Sequence, residues 1–122
     1  MKAPNARPAR WLVALVVLPL AGCTGYFSAD VRNDTPQPLF AQIIEQHDNG
    51  AVLLDSKRLG PGDRGSVGPV QAEIGRAWIV MDTSPNPKGP ARATLKPGTN
   101  FFKVTQTGDK TGGPIQVEEI IQ

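Results

Sequence analysis

The sequence predicts a small antiparallel β-sandwich of seven or eight strands, on three observations. Beyond residue 25, short segments of alternating apolar and polar residues recur with turn residues between them about every 8 to 12 positions. No stretch there shows the 3.6-residue periodicity of an amphipathic helix. The 100 residues that follow Gly22 in this 122-residue chain suit one small domain and leave no room for two.

In residues 26–31, Phe27, Ala29 and Val31 fall on one face, as in a half-buried strand. The run Asn-Asp-Thr-Pro-Gln-Pro over 33–38 breaks it. Asn33-Asp34-Thr35 matches a glycosylation sequon, but its better reading is a turn in which Asn and Asp side chains bond nearby backbone amides. Residues 39–46 form a second strand, and Asp48-Asn49-Gly50 is a hairpin signal, because Asn-Gly adopts the positive φ angles of a tight turn. Residues 51–55 return alongside it. A glycine-rich turn over 59–66 leads to a short strand at 66–70. Residues 77–81, Ala-Trp-Ile-Val-Met, are the most apolar strand, followed by a proline-rich loop over 83–90. Strands at 91–95, 100–106 and 115–121 complete the set, with turns at 96–99 and 107–114.

Ahead of these segments stands a different kind of sequence. Lys2, Arg7 and Arg10 precede an apolar run from Trp11 to Leu20, closed by Ala21, Gly22 and Cys23. The run is too short for a transmembrane helix, which needs about 17 to 25 apolar residues, and Pro19 interrupts its end. A basic start, an apolar middle and small residues at the close make a signal peptide. Leu20-Ala21-Gly22-Cys23 resembles the lipobox of bacterial lipoproteins. That resemblance implies cleavage before Cys23, a thioether-linked diacylglycerol on its sulfur with palmitate-type chains, and a location in the cell envelope. It divides the chain into a signal peptide, 1–22; a lipidated cysteine with a short tether, 23–25; and a β-sandwich domain, 26–122. In that family an aspartate after the cysteine retains the protein in the inner membrane. Thr24 stands there, which implies the outer membrane, facing the periplasm. Residues 31–39, Val-Arg-Asn-Asp-Thr-Pro-Gln-Pro-Leu, are similar to the opening of immunoglobulin-like extracytoplasmic modules, where a strand, a polar turn and a second strand occur together.

Charge and cysteine count narrow the chemistry. The net charge of +2 invites a polyanion reading, but three of thirteen basic residues and none of eleven acids precede Cys23. The remaining ten bases are scattered apart from Lys57 and Arg58, and nucleic-acid binding needs them clustered on one face. Cys23 is the sole cysteine, so disulfides, redox pairs and cysteine-based zinc sites are excluded.

Several motifs have plain readings. Residues 60–65, Gly-Pro-Gly-Asp-Arg-Gly, satisfy G-x-G-x-x-G, but the fingerprint requires a following helix, and 66–70 reads as a strand. Asp109-Lys110-Thr111 lacks the glycine before lysine of a phosphate loop. His47, the only histidine, lies beside a hairpin turn. No serine sits in a G-x-S-x-G elbow. Glu118 and Glu119, adjacent on a strand, point to opposite faces and cannot share a site. Asp30, Asp34, Asp48, Asp55 and Asp63 miss the spacing of a calcium loop. The expectation is therefore no enzyme, no catalytic residue, no metal and no cofactor.

One excess stands out. Residues 77–81 are apolar on both faces, so either Trp78 and Val80 or Ala77, Ile79 and Met81 point away from the core, and Phe101-Phe102 poses the same question. Outward Trp78, Val80, Phe101 and Phe102 would form a surface for an envelope protein partner; the alternative is that loops or sheet curvature cover them. The expected function is a non-enzymatic, membrane-anchored envelope lipoprotein with a structural or protein-interaction role. Carbohydrate or peptidoglycan binding through aromatic side chains is the competing expectation.

Overall fold

The computed structural model describes residues 23–83, 89–106 and 114–120. The signal peptide expected at 1–22, most of the proline-rich loop and most of the turn over 107–114 lie outside the described residues. Among the described residues all regular structure is strand: β1 (Thr24–Asn33), β2 (Leu39–His47), β3 (Gly50–Leu59), β4 (Arg64–Glu73), β5 (Ala77–Thr83), β6 (Ala91–Thr94), β7 (Gly98–Gln106) and β8 (Ile115–Ile120). They form two four-stranded sheets, β4-β1-β7-β8 and β3-β2-β5-β6, packed face to face as a small β-sandwich.

Pairing is antiparallel except between β1 and β7, which run parallel with Phe27 opposite Gly98 and Asn33 opposite Val104. The sequence reading expected an antiparallel sandwich throughout. It could not see this pair because the two strands are far apart in the chain and no turn signal joins them. Immunoglobulin-type sheets also place the second strand beside the fifth, whereas here the first strand belongs to the facing sheet. β1, the turn after it and β2 occur where residues 31–39 announced them, with the turn crossing from one sheet to the other.

Alternation places the core. Phe27, Ala29 and Val31 of β1, Val67 of β4, and Phe102 and Val104 of β7 meet Leu39, Ala41 and Ile43 of β2 and Ala77, Ile79 and Met81 of β5. Each large aliphatic or aromatic side chain so removed from water contributes about 1.5 to 3 kcal/mol. Several strands are longer than expected, β3 among them, which runs on past residue 55 to Leu59. β1 begins at Thr24 rather than at residue 26. β4 spans ten residues, because pairing with β1 extends from Arg64 to Glu73.

β3 and β4, edge strands of opposite sheets, lie together and close one side of the sandwich. There the Gly68 N–H donates to Asp55 Oδ2 at 2.7 Å. Gly68 has φ of 87°, and a Cβ there would meet the Phe27 carbonyl oxygen at 2.6 Å. Only glycine fits beside the bulge in β1 between Phe27 and Ala29.

The two ends of the sandwich differ. At the near pole β1 begins, β2 turns into β3, and β4 turns into β5. At the far pole lie the β1–β2 and β3–β4 turns, knitted together by Asn33. Its side-chain amide donates to the carbonyls of Gln37 (2.8 Å), Leu59 (3.1 Å) and Gly60 (3.0 Å). Its Oδ1 accepts from the Thr35 N–H and hydroxyl. Asn33 is wholly buried, so the amide nitrogen of the sequon is committed inside the fold.

Candidate functional site

The interesting residues fall in three places. Cys23 is exposed at the near pole, and its carbonyl oxygen accepts the Ile74 N–H at 2.8 Å. The expected tether over 23–25 is therefore shorter than the sequence suggested. Thr24 and Gly25 are already paired with Glu73 and Ala72 of β4, because β4 is long enough to capture them. Nothing slack separates the cysteine from the folded domain.

The second place is the outer face of β3-β2-β5-β6. Ala77, Ile79 and Met81 point inward, and Trp78 and Val80 outward, half-buried. Trp78 lies opposite Ile44 on β2 and Thr94 on β6, and Ile44 lies opposite Leu53 on β3. Ile44 is on the outer face yet only 7% exposed, because its cross-strand neighbours Trp78 and Leu53 shield it. The sequence reading missed Ile44 and Leu53. The signal was present: Ile43 and Ile44 are adjacent apolar residues on one strand, the two-faced pattern already noted at 77–81. Val80 lies between Gln42 and Arg92, so the apolar strip gives way to polar groups toward the far pole.

The third place is the opposite outer face. Phe101 points outward between Asp30 of β1 and Ile120 of β8. It borders a shallow cleft of about 90 Å³ with Arg32 and Arg64. Arg64 is engaged, its Nε and Nη2 reaching the two Asp30 carboxylate oxygens at 2.8 and 3.1 Å. Phe102 corrects the expectation: it faces inward and is 1% exposed, since strand alternation sends the second phenylalanine to the core once the first is outside. Trp78 and Val80 thus share a surface with each other, Phe101 stands on the far side of the molecule, and Phe102 is on no surface.

The titratable groups serve local structure. Glu45 accepts the Glu73 N–H at 2.6 Å and binds His47 Nε2 at 2.9 Å. The backbone bond first, and then His47, holds its carboxyl below the ordinary 4.5. Arg76 is paired with Glu73 beside this cluster. Asp63 caps the glycine-rich turn through the Gly60 N–H at 3.1 Å, and β4 rather than a helix follows. Glu118 lies opposite Lys103 and Glu119 opposite Phe102, so the two carboxylates project to different faces. Among the described residues no three His, Cys, Asp or Glu side chains converge as a metal site requires. No family model, curated protein or solved structure matches this chain.

Proposed function

We propose that the chain is a bacterial envelope lipoprotein without enzymatic activity, anchored through lipid on Cys23, in the outer membrane facing the periplasm. The observation that carries this reading is Leu20-Ala21-Gly22-Cys23 behind a basic and apolar leader. The exposure of Cys23 at the start of β1 supports it, since an acyltransferase must reach the sulfur. Acyl chains contribute about 0.8 kcal/mol per buried CH₂, and stable attachment takes more than one chain; a diacylglycerol supplies two. The role is structural or one of protein contact, with Trp78 and Val80 as the surface offered to an envelope protein.

Expression of wild type and Cys23→Ser in a bacterial host, with a clickable palmitate analogue and membrane fractionation, tests the anchor. The wild type takes up the label and sediments with membranes. Cys23→Ser takes up none and retains residues 1–22 by mass. Equal labelling, or a wild type without label, overturns the proposal. Among the described residues Trp78 is the one outward tryptophan available to a sugar, so a pull-down with purified peptidoglycan separates the carbohydrate alternative: retention that Trp78→Ser abolishes would replace the protein-contact role.

A further inference from the structure

Apolar side chains left in water are not spread evenly over this domain. Among the described residues six large ones are exposed: Tyr26 (66%), Leu53 (56%), Val52 (51%), Ile74 (48%), Phe40 and Ile120. Four of them ring the near pole. Ile74 is in the β4–β5 turn, its N–H bonded to the Cys23 carbonyl, and its side chain lies over Gly25. Tyr26 is three residues from Cys23, on β1. Val52 and Leu53 follow the β2–β3 turn by two and three residues, opposite Glu45 and Ile44. Of the other two, Phe40 lies near the start of β2 at the far pole, where polar side chains turn onto the backbone.

We propose that Tyr26, Val52, Leu53 and Ile74 form a collar that rests in the headgroup region of the bilayer, so that the sandwich stands on the membrane by its near pole. This deepens the lipid-anchor reading and rests on it. The choice of a lipid surface as occupant comes from where the chain enters. The apolar leader ends at Cys23, and that residue is itself bonded into the fold, so whatever holds it at the bilayer also holds the collar there. Tethering makes collar–lipid contact effectively intramolecular, so a weak intrinsic affinity suffices. Tyrosine suits the position, with an apolar ring and a polar hydroxyl at a boundary between oil and water. Charge attraction is not the main cause, because the carboxylates of Glu45, Asp48 and Glu73 stand at this pole beside His47 and Arg76.

The test uses the full chain, processed in cells, purified, and reconstituted into phosphatidylethanolamine–phosphatidylglycerol vesicles containing a nitroxide-labelled phospholipid. A fluorophore is attached at Ile74→Cys or, as a second reporter, Tyr26→Cys, and at Asp63→Cys on the far pole. These are surface positions, and a thioether at Cys23 does not react. The collar predicts quenching several-fold greater at 74 and 26 than at 63. Vesicle-bound protein in which 74 and 26 are quenched no more than 63 overturns the collar and leaves the anchor standing. Protein that does not associate with vesicles, with Cys23 itself reacting with the fluorophore, overturns both.

Discussion

The near and far poles of the sandwich close the same two sheets with different side chains. At the far pole a buried asparagine draws two turns together, its amide and carbonyl bonded to four residues and its burial complete. At the near pole a carboxylate accepts one backbone N–H and an imidazole, Asn100 holds the β6–β7 turn through the Lys96 N–H and carbonyl, and apolar side chains face outward around them. One end is finished against water from within. The other leaves apolar side chains exposed beside Cys23. The difference teaches that the end carrying Cys23 and the end held by Asn33 are separate, so each can be perturbed without the other.

The largest effect falls on the far pole. Asn33→Ala leaves the carbonyls of Gln37, Leu59 and Gly60 without that donor and should cost about 3 kcal/mol, since each buried unpaired group costs about 1 to 3. Urea denaturation reads it as a lowered midpoint with unchanged slope. A loss under about 1 kcal/mol would mean the two turns hold without the hub. Next comes Gly68→Ala, between the poles on the closed side. A Cβ at φ of 87°, within 2.6 Å of the Phe27 carbonyl oxygen, should destabilise by about 1 to 3 kcal/mol. A neutral result would show that the bulge in β1 yields.

Glu45→Gln sharpens the account of the near pole through pH. The folded carboxyl titrates below its ordinary 4.5, so its contribution is fully present above that value and is lost as pH falls through the lowered folded value. Wild type should exceed Glu45→Gln by about 1 kcal/mol at neutral pH, with the gap closing in acid. A gap that stays constant down the titration contradicts the role given to the carboxylate. The smallest effect belongs to the collar. Tyr26→Ser and Ile74→Ser should each change urea stability by no more than about 0.5 kcal/mol, as exposed positions do. A larger loss would make these side chains part of the fold's packing rather than a surface for lipid.

Much of the architecture was legible because it rests on period-two alternation and turn chemistry. Phe27, Ala29 and Val31 read as one buried face and are one, and Asp48-Asn49-Gly50 lies where β2 turns into β3. What long-range pairing decides was not legible. The parallel union of β1 with β7 joins segments with no local signal between them. The length of β4 follows from its partner rather than from its own apolar residues, and that length consumed the expected tether. Asn33 read as a local turn residue, which its bond to the Thr35 N–H fits. Its reach to Leu59 and Gly60, across the other sheet's turn, depends on tertiary placement. At the surface, alternation alone was enough to separate Phe101 from Phe102. The shielding of Ile44 required knowing which residues lie across from it.

Intact-mass analysis of the protein purified from bacterial membranes is the most direct measurement of the central claim. The account predicts a chain starting at Cys23 and carrying the added mass of a thioether-linked diacylglycerol. A chain that retains residues 1–22 with a free Cys23 thiol would contradict it.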